Sequence, residues 1–548
     1  MGQIKENISN KKLRGGYYTP QAITDFLCEW SIDINTERIL EPSCGDGNFI
    51  ESAIHRFKEL KIEGEDLKDR IKGIELLEDE SRKAKARAAN LGLNSNTIIN
   101  NDFFHHIKSN GAEKYDAVIG NPPFIRYQNF PEEHRKLAIE MMQNLGLNPN
   151  RLTNIWVPFL VVSASLLKEN GKMAMVIPAE LFQVKYAAET RVFLSNYFER
   201  MTIITFKKLV FANIQQEVVL LLCEKKVQHG KGIRVIECEN LEELKSINFK
   251  TINGSNVKPI DHTTEKWTKY FLNEDEINLL KKLKKDQRVI TCGDIMEVKV
   301  GLVTGRNEFF ILKQQQVKEW KLEDHTIPVA GKSNQLKGIT FSEKDFSDNS
   351  KAQNAIHLFI PPDKDFKKLP EVCQKYIEYG EEQGFNTGYK TRIRKRWYIT
   401  PSLWVPDAFA LRQVGKYPKL ILNETGASST DTIHRVRFKD GVNRKMAAIS
   451  YINSLSFAFS EITGRSYGGG VLTFEPTEIR EIQIPVLADL EIDFAQIDTL
   501  MRKRQIEKVL DIVDEALLIK HHGFSKVEVD ALRGIWKKLS QRRINRKK

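Results

Sequence analysis

Arg38-Ile-Leu-Glu-Pro-Ser-Cys-Gly-Asp-Gly-Asn-Phe49 is the stretch on which the fold turns. A short apolar run ends on Glu41, a turn carries Gly45 and Gly47, and an amphipathic segment, ESAIHRFKEL, follows. Glycines at that point let backbone approach a ligand at the carboxyl end of a strand. The dinucleotide fingerprint GxGxxG is not completed, because its third glycine position is Ile50, so a nicotinamide or flavin pyrophosphate is disfavoured. Downstream the same alternation continues through IKGIEL, SRKAKARAANLG, NTIINNDFF and YDAVIGNPPF. Short β-branched runs separated by longer amphipathic stretches are the rhythm of βαβ units. The expectation is an α/β, Rossmann-like, mostly parallel doubly wound sheet over residues 1–245. IWVPFLVVSASLLKENG reads as a buried helix closed by Gly171, followed by the strand KMAMVIP, with TIITF and EVVLLLCEK as later strands.

The rest of the chain differs in texture. Residues 226–260 turn polar and irregular, which marks a junction. Residues 260–490 mix shorter strand and turn signals with Gly, Pro, Lys and aromatics and read as an α+β domain. Residues 491–548 read as a basic helical extension ending in QRRINRKK; from residue 501 onward 14 Lys/Arg face 6 Asp/Glu. A formal net charge of +12 over 548 residues suits a polyanionic partner. The six cysteines are scattered without a CxxC pair, and no histidines stand at zinc spacing, so neither a disulfide framework nor a structural metal is expected. The start is polar, and the longest apolar run, residues 155–167, is interrupted by Pro158 and too short to span a bilayer. A cytoplasmic protein with no membrane partner is the expectation.

Two groups of residues carry chemistry. Glu41, Glu75 in GIEL and Asp102 in NNDFF stand at the ends of successive candidate strands. In a doubly wound sheet these ends line one crevice, so three carboxylates would meet different parts of one ligand, such as an amino-acid ammonium, a ribose diol and an adenine amine. Asn121-Pro122-Pro123-Phe124 follows the strand YDAVIG at the same edge. The side-chain oxygen of Asn121 and the carbonyl of Pro122 are two acceptors for one NH2 group, which suits an amine whose lone pair is delocalised into a ring, such as N6 of adenine. The paired prolines restrict the loop, and Phe124 offers a face on which a flat base stacks.

The ordered set GGYYTP (15–20), EPSCGDGNF, GIEL, NNDFF and IGNPPF resembles the gamma-class N6-adenine DNA methyltransferases of bacterial restriction-modification systems, over roughly residues 15–225. Many relatives carry Tyr where Phe124 stands. The resemblance implies S-adenosyl-L-methionine as cofactor, bound by Gly45 and Gly47 with Thr19 and Glu41 at its methionine end, Glu75 at the ribose, Asp102 and Phe103 at the adenine, and Asn121 beside the reacting group. It also implies that Phe124 and Phe211 grip the flipped target base, that the second half is a target-recognition domain for double-stranded DNA, and that the enzyme acts as a monomer beside a cognate endonuclease. Arg126 and Tyr127, after the catalytic loop, and Lys390, Arg392, Arg394, Lys395 and Arg396, within Tyr389–Tyr398, are the candidate DNA contacts. Gly301–Phe309 and Tyr467–Pro476 resemble segments of gamma-class recognition domains. The same two acceptors would serve a glutamine amide in protein or adenine in RNA; the basic second half favours DNA. A methyltransferase fold that had become an inactive specificity subunit is a further alternative, against which the intact NPPF and strand-end acids stand. Asp294, Glu297 and Lys299 faintly resemble a nuclease metal motif, with the acids closely spaced.

Overall fold

β1 (Ile39–Glu41) is the pivot of the first sheet in the computed structural model, buried along its whole length and paired in parallel with β2 (Ile71–Glu75) on one side and β4 (Tyr115–Gly120) on the other. The structure describes residues 18–546 except 112, 151–152, 209, 212–216, 250–251, 253–255 and 468. From β1 the chain steps outward to β2 and β3 (Ile98–Asn100), then returns across β1 to β4 and on to β5 (Leu167–Pro178). The spatial order is β3-β2-β1-β4-β5-β7-β6-β8, with β6 (Arg200–Phe206), β7 (Val218–Glu224) and β8 (Gly232–Cys238) completing eight strands. The reversal of order between β1 and β4 opens a crevice at the carboxyl ends of the strands, where such sheets bind ligands. The expected α/β, mostly parallel, doubly wound architecture is present. β7 alone runs against its neighbours, pairing antiparallel with both β5 and β6.

Helix patterning explains the layers. α1 (Gln21–Ser31) and α2 (Asn48–Glu59) bury Ile23, Phe26, Leu27, Phe49, Ile50, Ala53, Ile54 and Phe57 at helical spacing. Burying each such large apolar side chain contributes about 1.5–3 kcal/mol. α3 (Glu78–Asn90) starts with Glu78, Asp79 and Glu80, which suit the positive end of its dipole. It buries only Ser81, Ala84 and Ala88, and these small residues let it approach the turn so closely that a Cβ on Gly47, at φ 93°, would lie 3.1 Å from Ala84 Cα. One expectation is corrected here. The helix α6 (Trp156–Ser165) ends before Gly171, and LKENG belongs to β5. Leu167 pairs with Tyr115 across a register irregularity, so the lysine, glutamate and glycine extend a strand end instead of capping a helix.

The chain divides into two compact units, residues 1–271 with 545–548, and residues 272–544. Residues after 245 thus still belong to the first unit: Ile233 forms a bridge with Lys258, and Trp267 is buried. The second unit holds a five-stranded sheet in the order Met296–Lys299, Ile433–Phe438, Ala408–Leu411, Leu420–Asn423, Thr340–Phe341. A second core gathers around Phe309, whose ring stacks on Tyr376 at 4.8 Å and meets Trp397 at 4.7 Å. Gly380 makes room for it, since a Cβ there would lie 2.5 Å from the Phe309 ring.

Lys419 is buried in this unit, donating to the carbonyls of Leu336 (2.6 Å) and Lys337 (2.8 Å). Burial lowers its pKa to about 8. Between that value and about 10.4 in the unfolded chain, the folded protein binds fewer protons, so stability rises with pH by up to about 1.4 kcal/mol per unit. Urea unfolding at pH 8 and pH 10 is expected to show this gain in the parent relative to Lys419→Met; equal pH responses would refute it.

Candidate active site

Glu41 closes β1 with its side chain buried, and among the described residues its Oε2 has no hydrogen-bond partner. Burial, with the neighbouring Glu75 and Asp46 charges, pushes its carboxyl well above the usual range. A buried carboxyl oxygen at a strand end, with no cation among the described residues on it, fits a cationic ligand group. Glu75 closes β2 and is the brace of the glycine turn: its Oε2 accepts from the Gly45 amide and its Oε1 from the Leu77 amide, each at 2.8 Å. Gly45 (φ 54°) and Gly47 occupy left-handed backbone, which fixes the turn that presents these amides. Asp102, after β3, is buried and caps α4 (Phe103–Asn110), accepting from the His105 amide at 2.9 Å. Phe103 is buried and stacks on Phe159 at 5.1 Å.

β4 delivers the second group. Gly120 has φ 155°, and a Cβ there would sit 3.4 Å from Glu41 Cγ. The chain therefore passes directly over Glu41 before turning into Asn121-Pro122-Pro123-Phe124. Asn121 Nδ2 donates to Thr19 Oγ1 (3.1 Å) and Ser43 Oγ donates to the Asn121 carbonyl (3.4 Å). Asn48 Nδ2 donates to the Thr19 carbonyl at 3.1 Å. Thr19, Glu41, Gly45, Glu75 and Asn121 are thus brought to one sheet edge. Pro122 is buried, and Phe124 is half-buried against the hydrophobic cluster that also holds Phe211. Because β7 is reversed, β6 ends and β7 begins at this same edge; of VFANIQQ, residues 212–216 lie outside the described residues, as do Gly15, Gly16 and Tyr17 of GGYYTP. Arg126 is exposed and bridges to Asn154; Tyr127 lies in a short 3-10 turn.

Three supporting residues escaped the sequence reading: Ser43, Asn48 and Arg87. The Arg87 guanidinium reaches from α3 to Asp46 (3.0 Å), Glu51 (2.7 Å) and Asn48, tying the glycine turn to the helix behind it. Asn48 and Ser43 stand inside EPSCGDGNF, so polar residues within the turn were the available signal; Arg87 had none.

In the second unit, Gly301–Asn307 and the 389–397 segment pack together. Arg394 donates to the Val303 carbonyl (2.8 Å), and a Cβ on Gly305 would lie 2.8 Å from Lys390 Cβ. Arg396 is ion-paired with Asp363 and Asp365, each at 2.7 Å. Arg394 and Arg396 are therefore committed to holding the segment, whereas Lys390, Arg392 and Lys395 are exposed. Beside them lies a cavity of about 330 Å³ lined by Val303–Glu308 and Asp431. Asp294 is used as a helix cap, accepting from the Thr291 amide (2.8 Å), and Glu297 pairs with Lys299 on the surface; no nuclease centre is assembled from them.

A doubly wound sheet with paired acceptors beside strand-end acids at its switch point defines a methyltransferase of the class that modifies amino groups. Residues 4–303 match the N-6 DNA methylase family model, and residues 264–518 match the C-terminal domain of the Type II methyltransferase M.Eco57I. The chain belongs to the N-6 DNA methylase family and is a DNA adenine-N6 methyltransferase of the restriction-modification type. It is 23% identical over 504 residues to the Type II methyltransferase M.AccI of Acinetobacter calcoaceticus, covering 87% of this chain and 86% of that one. To M.XamI of Xanthomonas campestris pv. amaranthicola it is 20% identical over 478 residues, with 87% and 86% covered. Among solved structures, the Type IIL restriction-modification enzyme MmeI in complex with DNA shares the fold with a TM-score of 0.61 at 12% identity, over 95% of this chain and 75% of that one. The DrdV–DNA complex follows at 0.53 and 12%, over 91% and 58%. Among the described residues no helix is long and apolar enough to cross a membrane.

Proposed function

We propose that this protein transfers the methyl group of S-adenosylmethionine to N6 of an adenine flipped out of a specific site in double-stranded DNA. The observation that carries this reading is the close approach of Gly120 to Glu41, near enough that a Cβ on the glycine would touch the glutamate side chain, which sets the amine-binding loop beside the acids of the cofactor crevice. When bound, the cofactor supplies a methyl group already activated by its sulfonium. Glu41, Thr19 and the glycine turn hold its methionine end, Glu75 the ribose hydroxyls, and Asp102 the adenine amine. The Asn121 side-chain oxygen, its amide held toward Thr19, and the Pro122 carbonyl each accept a hydrogen bond from the N6 amine, which loses one proton as its bond to the methyl carbon forms and the carbon–sulfur bond breaks. Drawing the lone pair out of the ring raises the nucleophilicity of nitrogen. Phe124 and Phe211 hold the flipped base, whose extraction the rest of the duplex contacts must support. We assign target recognition to the second unit, with Lys390, Arg392 and Lys395 on phosphates. A cognate endonuclease and monomeric action in the cytoplasm complete the reading.

Purified protein incubated with tritiated S-adenosylmethionine and unmethylated plasmid, followed by nucleoside digestion and modification-sensitive sequencing, tests it. Label in N6-methyladenine at one recurring sequence is expected; label only in RNA or protein, or none, refutes it. Glu75→Gln is expected to weaken cofactor affinity by about 10- to 100-fold, the worth of a charge-assisted hydrogen bond, with kcat at saturating cofactor much less affected. Calorimetry showing unchanged affinity would remove Glu75 from the ribose.

A further inference from the structure

Beside the crevice, at the facing ends of α4 and α5 (Glu132–Asn144), Asp102, His105 and His134 bring one ligand atom each to within 4.8 Å of one another. We infer that these three residues form a binding site for a divalent transition-metal ion of the zinc or cobalt type, and that metal and cofactor compete for Asp102. The competition rests on the cofactor reading above; the metal site itself does not.

The carboxylate of Asp102 is divided between two tasks. Its Oδ1 caps α4, while Oδ2 points to His134 Nδ1 at 3.4 Å. No hydrogen bond joins that pair: among the described residues the buried Nδ1 of His134 makes no hydrogen bond. Two ligand atoms about 2.1 Å from one tetrahedral ion stand about 3.4 Å apart, so this spacing is that of two ligands on a metal. The His105 ring meets His134 edge to face at 5.4 Å, and rotation about its side chain closes the remaining distance. Two imidazoles with one carboxylate select zinc, cobalt or nickel over magnesium or calcium, which prefer all-oxygen sets.

The surroundings suit a cation. Glu133 Oε1 lies 3.7 Å from His105 Nε2, within reach as a further ligand or an orienting acceptor. The nearby lysines are neutralised, Lys108 by Glu140 (3.3 Å) and Lys136 by Glu132 (3.2 Å). An open cleft of about 590 Å³, lined by His105, Glu133 and Leu137 among others, gives an entry path. A metal on Oδ2 would withdraw from the adenine amine the acceptor that the cofactor needs, so free transition metal would act as an inhibitor competitive with S-adenosylmethionine. The spacing of three and 29 residues between the ligands matches no metal motif, so sequence alone predicts none.

The test uses the full chain, titrated with Co2+ under visible absorption and with Zn2+ in a calorimeter. One ion per chain with ligand-field absorption in the visible is expected. His105→Ala and His134→Ala are each expected to weaken binding by about tenfold or more, while keeping the parent's circular dichroism and its cofactor affinity in chelator. S-adenosylhomocysteine is expected to displace the Co2+. Absence of saturable binding, or binding unchanged in both histidine variants, overturns the site. Simultaneous, independent binding of Co2+ and S-adenosylhomocysteine overturns the competition. Failure of the cofactor to bind in chelator would instead refute the function proposed above and leave the cobalt titration standing.

Discussion

Asn121→Ala is expected to lower methyl transfer by about a thousandfold or more, the range associated with losing a group that acts on the reacting atoms. Affinity for S-adenosylmethionine is expected to change by less than about tenfold, since only a neutral contact of about 1 kcal/mol is removed. Asn121 also donates to Thr19, so the variant removes a support along with an acceptor. Thr19→Val separates the two effects: it breaks the support and keeps the acceptor, and it is expected to retain far more activity than Asn121→Ala. Single-turnover kinetics with a methylatable duplex reads the chemical step directly. Substantial turnover by Asn121→Ala would end the assigned role.

The largest stability effect is expected at Arg543. Its guanidinium and the Glu461 carboxylate are both nearly inaccessible to solvent, joined by bonds of 2.7 and 2.9 Å, and Nη1 also donates to the Gly470 carbonyl at 2.8 Å. Burial pushes the Glu461 carboxyl up, and Arg543 pulls it back. Arg543→Met would strand a buried carboxylate and the carbonyls of Gly415, Lys416 and Gly470, costing about 3–5 kcal/mol. Replacing Glu461 by Leu in the same chain is expected to restore much of that loss, because the desolvation of both charges then disappears. Urea denaturation following the second unit decides it; a loss below about 1 kcal/mol in the single variant would show that the pair is solvated in solution.

The first unit was legible because its signals are local and repeated. Strand, glycine turn and helix follow one another within a dozen residues at Arg38–Phe49, β2 ends on Glu75, and Asp102 and Asn121 stand within two residues of the ends of β3 and β4. What stayed hidden depends on contacts distant in sequence. Nothing near Arg87 announces that it grips Asp46 and Glu51, 41 and 36 residues away. The misplacement of LKENG arose because a polar, glycine-ended stretch carries no strand periodicity; its conformation is set by β4 and β7 on either side. In the second half, charge was visible and its use was not. Arg394 and Arg396 look like their neighbours in sequence, yet one holds the Val303 loop and the other two aspartates.

That commitment of charge runs through the carboxyl-terminal stretch. Arg502, Lys526, Arg533, Lys537, Lys538, Arg543 and Arg546 all face acidic partners within the protein. A cation already neutralised releases no counterion from DNA, and each phosphate neutralised contributes about 0.9 to the logarithmic dependence of affinity on salt. The ionic-strength response of DNA binding will therefore register far fewer charges than the composition advertises. Half of the 14 Lys and Arg from residue 501 onward already face acidic partners, so that stretch contributes less to the response than its charge count suggests; with Lys390, Arg392 and Lys395 on phosphates as proposed, those three take a larger share.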